Sequence, residues 1–174
     1  LAIIAGTGNK SGKTSMACRI IEQFRYTGIV AVKITPHLHD ATPGLIAVER
    51  NQGYDIFQET NPGTGKDTSR MLKAGASGVY FVRAEDEYLS VAFGRIMEFV
   101  PEGTPIVCES PALRYSIEPG MFIIMTSDIK DNQKGIKSLM ELPHVEFNLE
   151  NLAANKELPV SFKTGKWVCW QYGC

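Results

Sequence analysis

The chain has 174 residues, 44% of them hydrophobic and 21% charged, which suits one globular domain over residues 1–174 that can bury a core. Its formal net charge of −1 supplies no electrostatic footprint for nucleic acid or for an acidic membrane surface. No apolar run of about 18 residues is present to span a bilayer as a helix.

Leu1-Ala2-Ile3-Ile4-Ala5 is a continuous apolar run, the pattern of a strand buried on both faces. It breaks into Gly6-Thr7-Gly8-Asn9-Lys10-Ser11-Gly12-Lys13-Thr14, a glycine-rich turn ending in Lys-Thr at the start of a helix. Strand, turn and helix in that register predict a phosphate-binding loop. Glycines let successive N–H groups curl inward, and the helix adds the positive end of its dipole. Gly8, Asn9, Lys10, Ser11, Gly12 and Ser15 are then expected to wrap the phosphates of a nucleotide, with Lys13 on the outer phosphates and the Thr14 hydroxyl on magnesium. One departure is visible: where the usual G-x-x-x-x-G-K-[ST] spacing has its first glycine, this chain has Thr7.

Met16, Ile20 and Phe24 recur at helical spacing, so residues 13–26 are predicted as a helix stopped by Gly28, followed by a buried strand at 29–32. Periodicity then weakens. Residues 33–65, punctuated by Pro36, Pro43 and Pro62, read as a long irregular excursion in which 45–49 and 54–57 could form short elements. Residues 65–70 start a short helix that Asp67 or Thr68 could cap and Gly75 could stop. Beyond it come a strand at 78–82, an amphipathic helix at 86–99, and two buried strands at 105–108 and 121–125, which run toward Glu109 and Asp128. A helix around 132–141, a strand at 145–147 and a terminal hairpin turning at Thr164-Gly165 complete the prediction. Val160, Phe162, Trp167 and Cys169 are its inward candidates.

The expected architecture is α/β: a three-layer P-loop NTPase fold with a mainly parallel sheet and a C-terminal antiparallel hairpin. In such a sheet, acids at strand ends face the ligand crevice. Glu109 is expected to help hold magnesium, with a solvated loop residue as the plain alternative, and Asp40 competes for the same task. A carboxylate at Asp128 could accept from both the N1–H and the 2-amino group of guanine, or could simply cap the next helix. His37, His39 and Asp40 together could ligate zinc, though a phosphate contact suits them better. Lys66 and Arg70 stand one helical turn apart and could bind an anion jointly or form a solvated face. The four cysteines, Cys18, Cys108, Cys169 and Cys174, contain no C-x-x-C pair, which points to a reduced, cytoplasmic setting; a targeting segment is neither seen nor excluded.

The glycine loop, the segment Lys33 to Asp40 with its histidines, and Gly65-Lys66-Asp67-Thr68-Ser69-Arg70 followed by Lys73-Ala74-Gly75-Ala76 together resemble the MobB family, small GTP-binding proteins of molybdopterin-guanine dinucleotide biosynthesis. The resemblance spans roughly residues 1–85. It implies a dimeric, weak GTPase that binds GTP and magnesium and assists a molybdopterin guanylyltransferase. Lys13 and Thr14 would hold phosphate and magnesium, and Lys33, His37 or His39, Asp40, Lys66 and Asp67 would line the site. Lys66 is the candidate to complete the catalytic group with Lys13 and Thr14. The loop spacing is also similar to that of dethiobiotin synthetase and the cobyrinic acid amide synthases. That second resemblance implies ATP and activation of a carboxylate. A nucleotide-sensing adaptor that does not hydrolyse is the third expectation.

Overall fold

The structure, a computed structural model, describes residues 1–37, 42–127 and 136–170. The first strand, β1 (Ala2–Gly6), is buried at every position, as its unbroken apolar run requires. It lies between β6 (Ile106–Glu109) and β7 (Met121–Met125) and runs parallel to both. On one side the sheet continues from β6 through β2 (Val30–Thr35) and β5 (Gly78–Ala84), and on the other from β7 to β8 (Val145–Phe147), all of these pairs being parallel. Two further strands, β3 (Leu45–Asn51) and β4 (Tyr54–Glu59), join antiparallel beyond β5, giving this sheet eight strands among the described residues.

Alternation along the strands divides the core in two. Ala2, Ile4, Ala31 and Val79 face α1 (Lys13–Phe24) and α2 (Asp67–Lys73), meeting Met16, Ile20, Ile21 and Met71. Ile3, Ala5, Val32 and Val82 face α3 (Leu89–Phe99), meeting Phe93 and Ile96. Helices therefore cover both faces of a mainly parallel sheet, the α/β arrangement that the run of elements predicts. Since β6 lies between β1 and β2, the glycine loop emerges at the centre of the carboxyl edge, with Glu109 beside it.

The structure corrects several sequence-based boundaries. Within 33–65, β2 extends to Thr35, and the possible short elements at 45–49 and 54–57 are the strands β3 and β4, which form a hairpin. Edge strand β3 is only half-buried at two positions and exposed elsewhere, so it lacks the apolar alternation that marks a strand in sequence. Neither Asp67 nor Thr68 caps α2; Lys66 occupies the cap position without a side-chain bond, and the Thr68 hydroxyl donates instead to Glu59 at 2.8 Å. The buried Glu59 carboxylate also accepts from the Asn61 N–H at 2.9 Å, so one acid ties the end of β4 to the start of α2. The helix expected at 132–141 is described only as α4 (Lys137–Met140). A further short helix, α5 (Leu149–Ala154), was not predicted; it is capped by Asn148, whose side-chain oxygen accepts from the Asn151 N–H at 2.7 Å.

The terminal hairpin forms as expected from β9 (Val160–Lys163) and β10 (Lys166–Cys169). Thr164 and Gly165 both take positive φ, 49° and 77°, the conformation whose twist suits a two-residue hairpin loop. Val160, Trp167 and Cys169 are buried and Phe162 packs beside them; Trp167 meets Phe24 edge-on with ring centroids 5.0 Å apart. The hairpin is thus part of the core under α1. Trp167→Ala should accordingly destabilise the protein by about 3–5 kcal/mol. A loss under about 1 kcal/mol in urea unfolding would show the hairpin to be an appendage.

Candidate functional site

Between β1 and α1 the chain makes a tight cradle. A Cβ on Gly6 would lie 2.1 Å from the Ser11 Oγ, and one on Gly12 (φ 98°) would lie 2.7 Å from a Leu149 methyl, so glycine is required at both positions. Lys10 also adopts a left-handed conformation, at φ 60°. The Lys13 ammonium folds back over the loop and donates to the Gly8 carbonyl at 2.7 Å and to Ser11 Oγ at 3.4 Å. Thr7, the departure from the usual spacing, has a structural task. Its N–H donates to the Met125 carbonyl at 3.0 Å, and its hydroxyl accepts from the Ser127 N–H at 3.0 Å, anchoring the loop to the end of β7.

Below the cradle stands a chain of charge. Thr14, in the first turn of α1, donates its hydroxyl to Glu109 Oε2 at 2.7 Å. The other oxygen, Oε1, accepts from the Lys33 ammonium at 3.3 Å, and that ammonium also bonds to Asp67. The sheet register explains the meeting, since Lys33 of β2 pairs directly with Glu109 of β6, and Ile4 of β1 is Glu109's partner on the other side. Arg70, one turn along α2, lies 3.8 Å from Asp67 and donates to Ser15 Oγ at 3.3 Å, joining α2 to α1. Burial alone would pull the Lys33 pKa down, but the Glu109 charge and the bond to Asp67 hold it above its ordinary value. Burial would likewise raise Asp67, and the Lys33 bond, with help from Thr14 and Arg70, brings it below the usual carboxylate range.

These groups enclose a cavity of about 420 Å³ whose walls include Asn9, Lys10, Gly12, Lys13, Thr14 and Ser15 from the loop and Lys33, Asp67, Arg70 and Glu109 from below. Most of the sequence-predicted loop residues therefore come together; Gly8 and Ser11 take part by holding the Lys13 ammonium. Lys66 does not line this cavity but an adjoining one of about 300 Å³, which shares Lys33 and Asp67 with the first. Asp40, His39 and Asp128 lie outside the described residues. His37 is exposed after β2, and the zinc reading also needs His39 and Asp40, which lie outside the described residues.

The sequence offered Arg70 only as an anion partner of Lys66, missed Leu149 as a wall, and reached Lys33 and Asp67 only through the family resemblance. Lys33 did carry a signal of its own. A lysine directly after a β-branched run sits where a strand is still buried, and a buried ammonium requires a carboxylate. No signal pointed to Leu149, because its helix was not predicted.

Cys18 and Cys108 are free thiols. Burial raises the Cys18 thiol to about 11 and Cys108 higher still, which disfavours the thiolate of each.

Comparison with protein-family models, with curated proteins and with solved structures returned no match. Among the described residues no helix is long and apolar enough to cross a membrane.

The ion pairs give the protein a defined pH signature. Asp67 is depressed, so its contribution to stability is present above its unfolded value, near 3.8, and is lost as pH falls through the lower folded value. Lys33 is raised, so its contribution is full below 10.5 and is lost as pH rises through the higher folded value. Asp67→Asn should shallow the acid limb of stability against pH, measured by urea unfolding across pH 2–6. An unchanged acid limb would mean that the pair contributes nothing to folding.

Proposed function

We propose that the cradle binds the magnesium complex of a purine nucleoside triphosphate, GTP in preference to ATP, and hydrolyses it slowly in support of molybdenum cofactor maturation. The observation that carries this reading is the convergence at one cavity of the glycine loop, the Lys13 ammonium and the Thr14 hydroxyl, at the carboxyl edge of a parallel sheet. An edge of that kind, next to a helix N-terminus, is where α/β sheets take phosphates. The GTP preference, the cofactor pathway, a homodimer and a guanylyltransferase partner rest on the family resemblance of the loop and of residues 65–76.

The donor set suits magnesium. Thr14 supplies a hydroxyl and Glu109 a carboxylate, the hard oxygen ligands of that ion. The Lys33 ammonium beside Glu109 indicates that the site favours positive charge there even in the protein alone. Bound magnesium would neutralise charge on the β- and γ-phosphates. For its own part the chain presents loop amides to the phosphates, and Lys13 turns from the Gly8 carbonyl to the outer phosphate oxygens. Glu109 and Asp67 are both already committed to Lys33, so neither is poised to take a proton from water. That supports slow hydrolysis, with binding energy spent mainly on holding the nucleotide.

A charge-assisted contact contributes about 1.5–3 kcal/mol, so Lys13→Ala should weaken triphosphate binding by roughly one to two orders of magnitude. Competition of GTP against ATP for a fluorescent nucleotide, with and without magnesium, checks both the base preference and the metal. Equal affinity of wild type and Lys13→Ala would remove the cradle from consideration as a nucleotide site, and ATP outcompeting GTP would remove the guanine assignment.

A further inference from the structure

We infer that the end of the sheet opposite the cradle carries a separate binding site, for a small monocarboxylate with an apolar body. A cavity of about 460 Å³ opens there beside the first residues of β7 and β8 and beside β10. Its volume falls within the range of small-molecule sites, about 300–1,000 Å³. Strands β1 and β7 run parallel, and the Gly120 N–H just before β7 donates to the Leu1 carbonyl at 3.0 Å. The cavity therefore lies at the amino edge of the sheet, whereas the glycine loop leaves the carboxyl edge. It stands apart from the cradle and does not rest on the nucleotide reading.

Arg114, in the turn between β6 and β7, stands in the wall and is half-buried. Its guanidinium forms no ion pair among the described residues, whereas the other half-buried arginines, Arg19, Arg83 and Arg95, pair with Glu22, Asp55 and Glu49. The group lies over the Phe122 ring, 5.5 Å from its centroid, a contact that answers part of the charge but gives the N–H groups no acceptor. Only two buried side-chain nitrogen or oxygen atoms among the described residues lack a hydrogen-bond partner, Arg114 Nε and Trp167 Nε1, and both residues line this cavity. Buried donors without acceptors are rare in native folds, and a guest that supplies an acceptor removes the penalty.

The other polar groups of the wall narrow the guest. His144 is engaged within the protein: its Nδ1 donates to the Leu142 carbonyl at 2.7 Å, and its Nε2 lies 3.1 Å from Glu146 Oε1. Glu118 is exposed and forms no ion pair with Arg114, so solvent screens its charge more than that of the half-buried guanidinium. A single negative charge on the planar N–H edge of Arg114 is therefore favoured. The Glu118 carboxylate in the same wall weighs against a dianion such as a phosphate monoester. Met121, Val145 and Val168 supply apolar surface for the body of the guest.

Benzoate, its neutral isostere benzamide and the dianion phenyl phosphate serve as probes, each titrated calorimetrically into wild type, Arg114→Met, Val168→Glu and Lys13→Ala. Val168 is 48% exposed, so its substitution adds a charge to the wall without entering the core. Benzoate should bind wild type about tenfold more tightly than either other probe, and Arg114→Met and Val168→Glu should each weaken it by about tenfold. Lys13→Ala should leave benzoate binding unchanged. Absence of benzoate binding to wild type, or benzamide binding equally well, would overturn the inference. So would unchanged affinity in Arg114→Met or in Val168→Glu, or a loss in Lys13→Ala, because the probe would then occupy another place. Tighter binding of phenyl phosphate than of benzoate would overturn the choice of a monocarboxylate.

Discussion

Placing a lysine ammonium on a buried strand obliges the fold to bring carboxylates to it, and much of the carboxyl edge of this sheet follows from that obligation. Lys33 is only 15% exposed, too buried to be left unpaired. Glu109 reaches it by register across β2 and β6, and Asp67 reaches it because Glu59 fixes where α2 begins. Once Glu109 is held, the Thr14 hydroxyl has a buried acceptor, and the first turn of α1 is locked over β6. Three elements far apart in sequence are thus fixed around one charge.

The same arrangement gives the site its chemical bias. Carboxylates and a hydroxyl at the base of a glycine loop make a place for a cation, and the ammonium stands beside it in the protein alone. The loop above is rigid for independent reasons: Gly6 and Gly12 sit where any side chain would collide, and Thr7 fastens the turn to the end of β7. A turn fixed in this way, above an acidic floor that is already in place, lowers the ordering cost of the binding proposed for the cradle.

Much of the fold was legible because its information is local. The buried strands were visible as apolar runs, α1 and α3 as apolar stripes, and the terminal hairpin as two short runs around Thr164-Gly165. The segments of β3 and β4 were visible only as possible short elements, and their pairing as a hairpin was not legible, since an edge strand need not bury either face and leaves little periodicity to find. The short α5 was missed because six residues are too few to register a helical period.

The sequence by itself determined the glycine-rich turn between β1 and α1, since its glycines, Lys13 and Thr14 act through backbone freedom and charge within one continuous stretch. It also marked Glu109 as an acid at the end of a buried strand. Only the tertiary structure decided which groups meet that stretch. Strand order put β6 rather than β2 next to β1, and the placement of α2 aimed Asp67 at the first cavity and Lys66 at the second. The physical reason is that hydrogen bonds and ion pairs extend only a few ångströms, whereas Thr14 and Glu109 are 95 residues apart along the chain, and packing alone closes that distance.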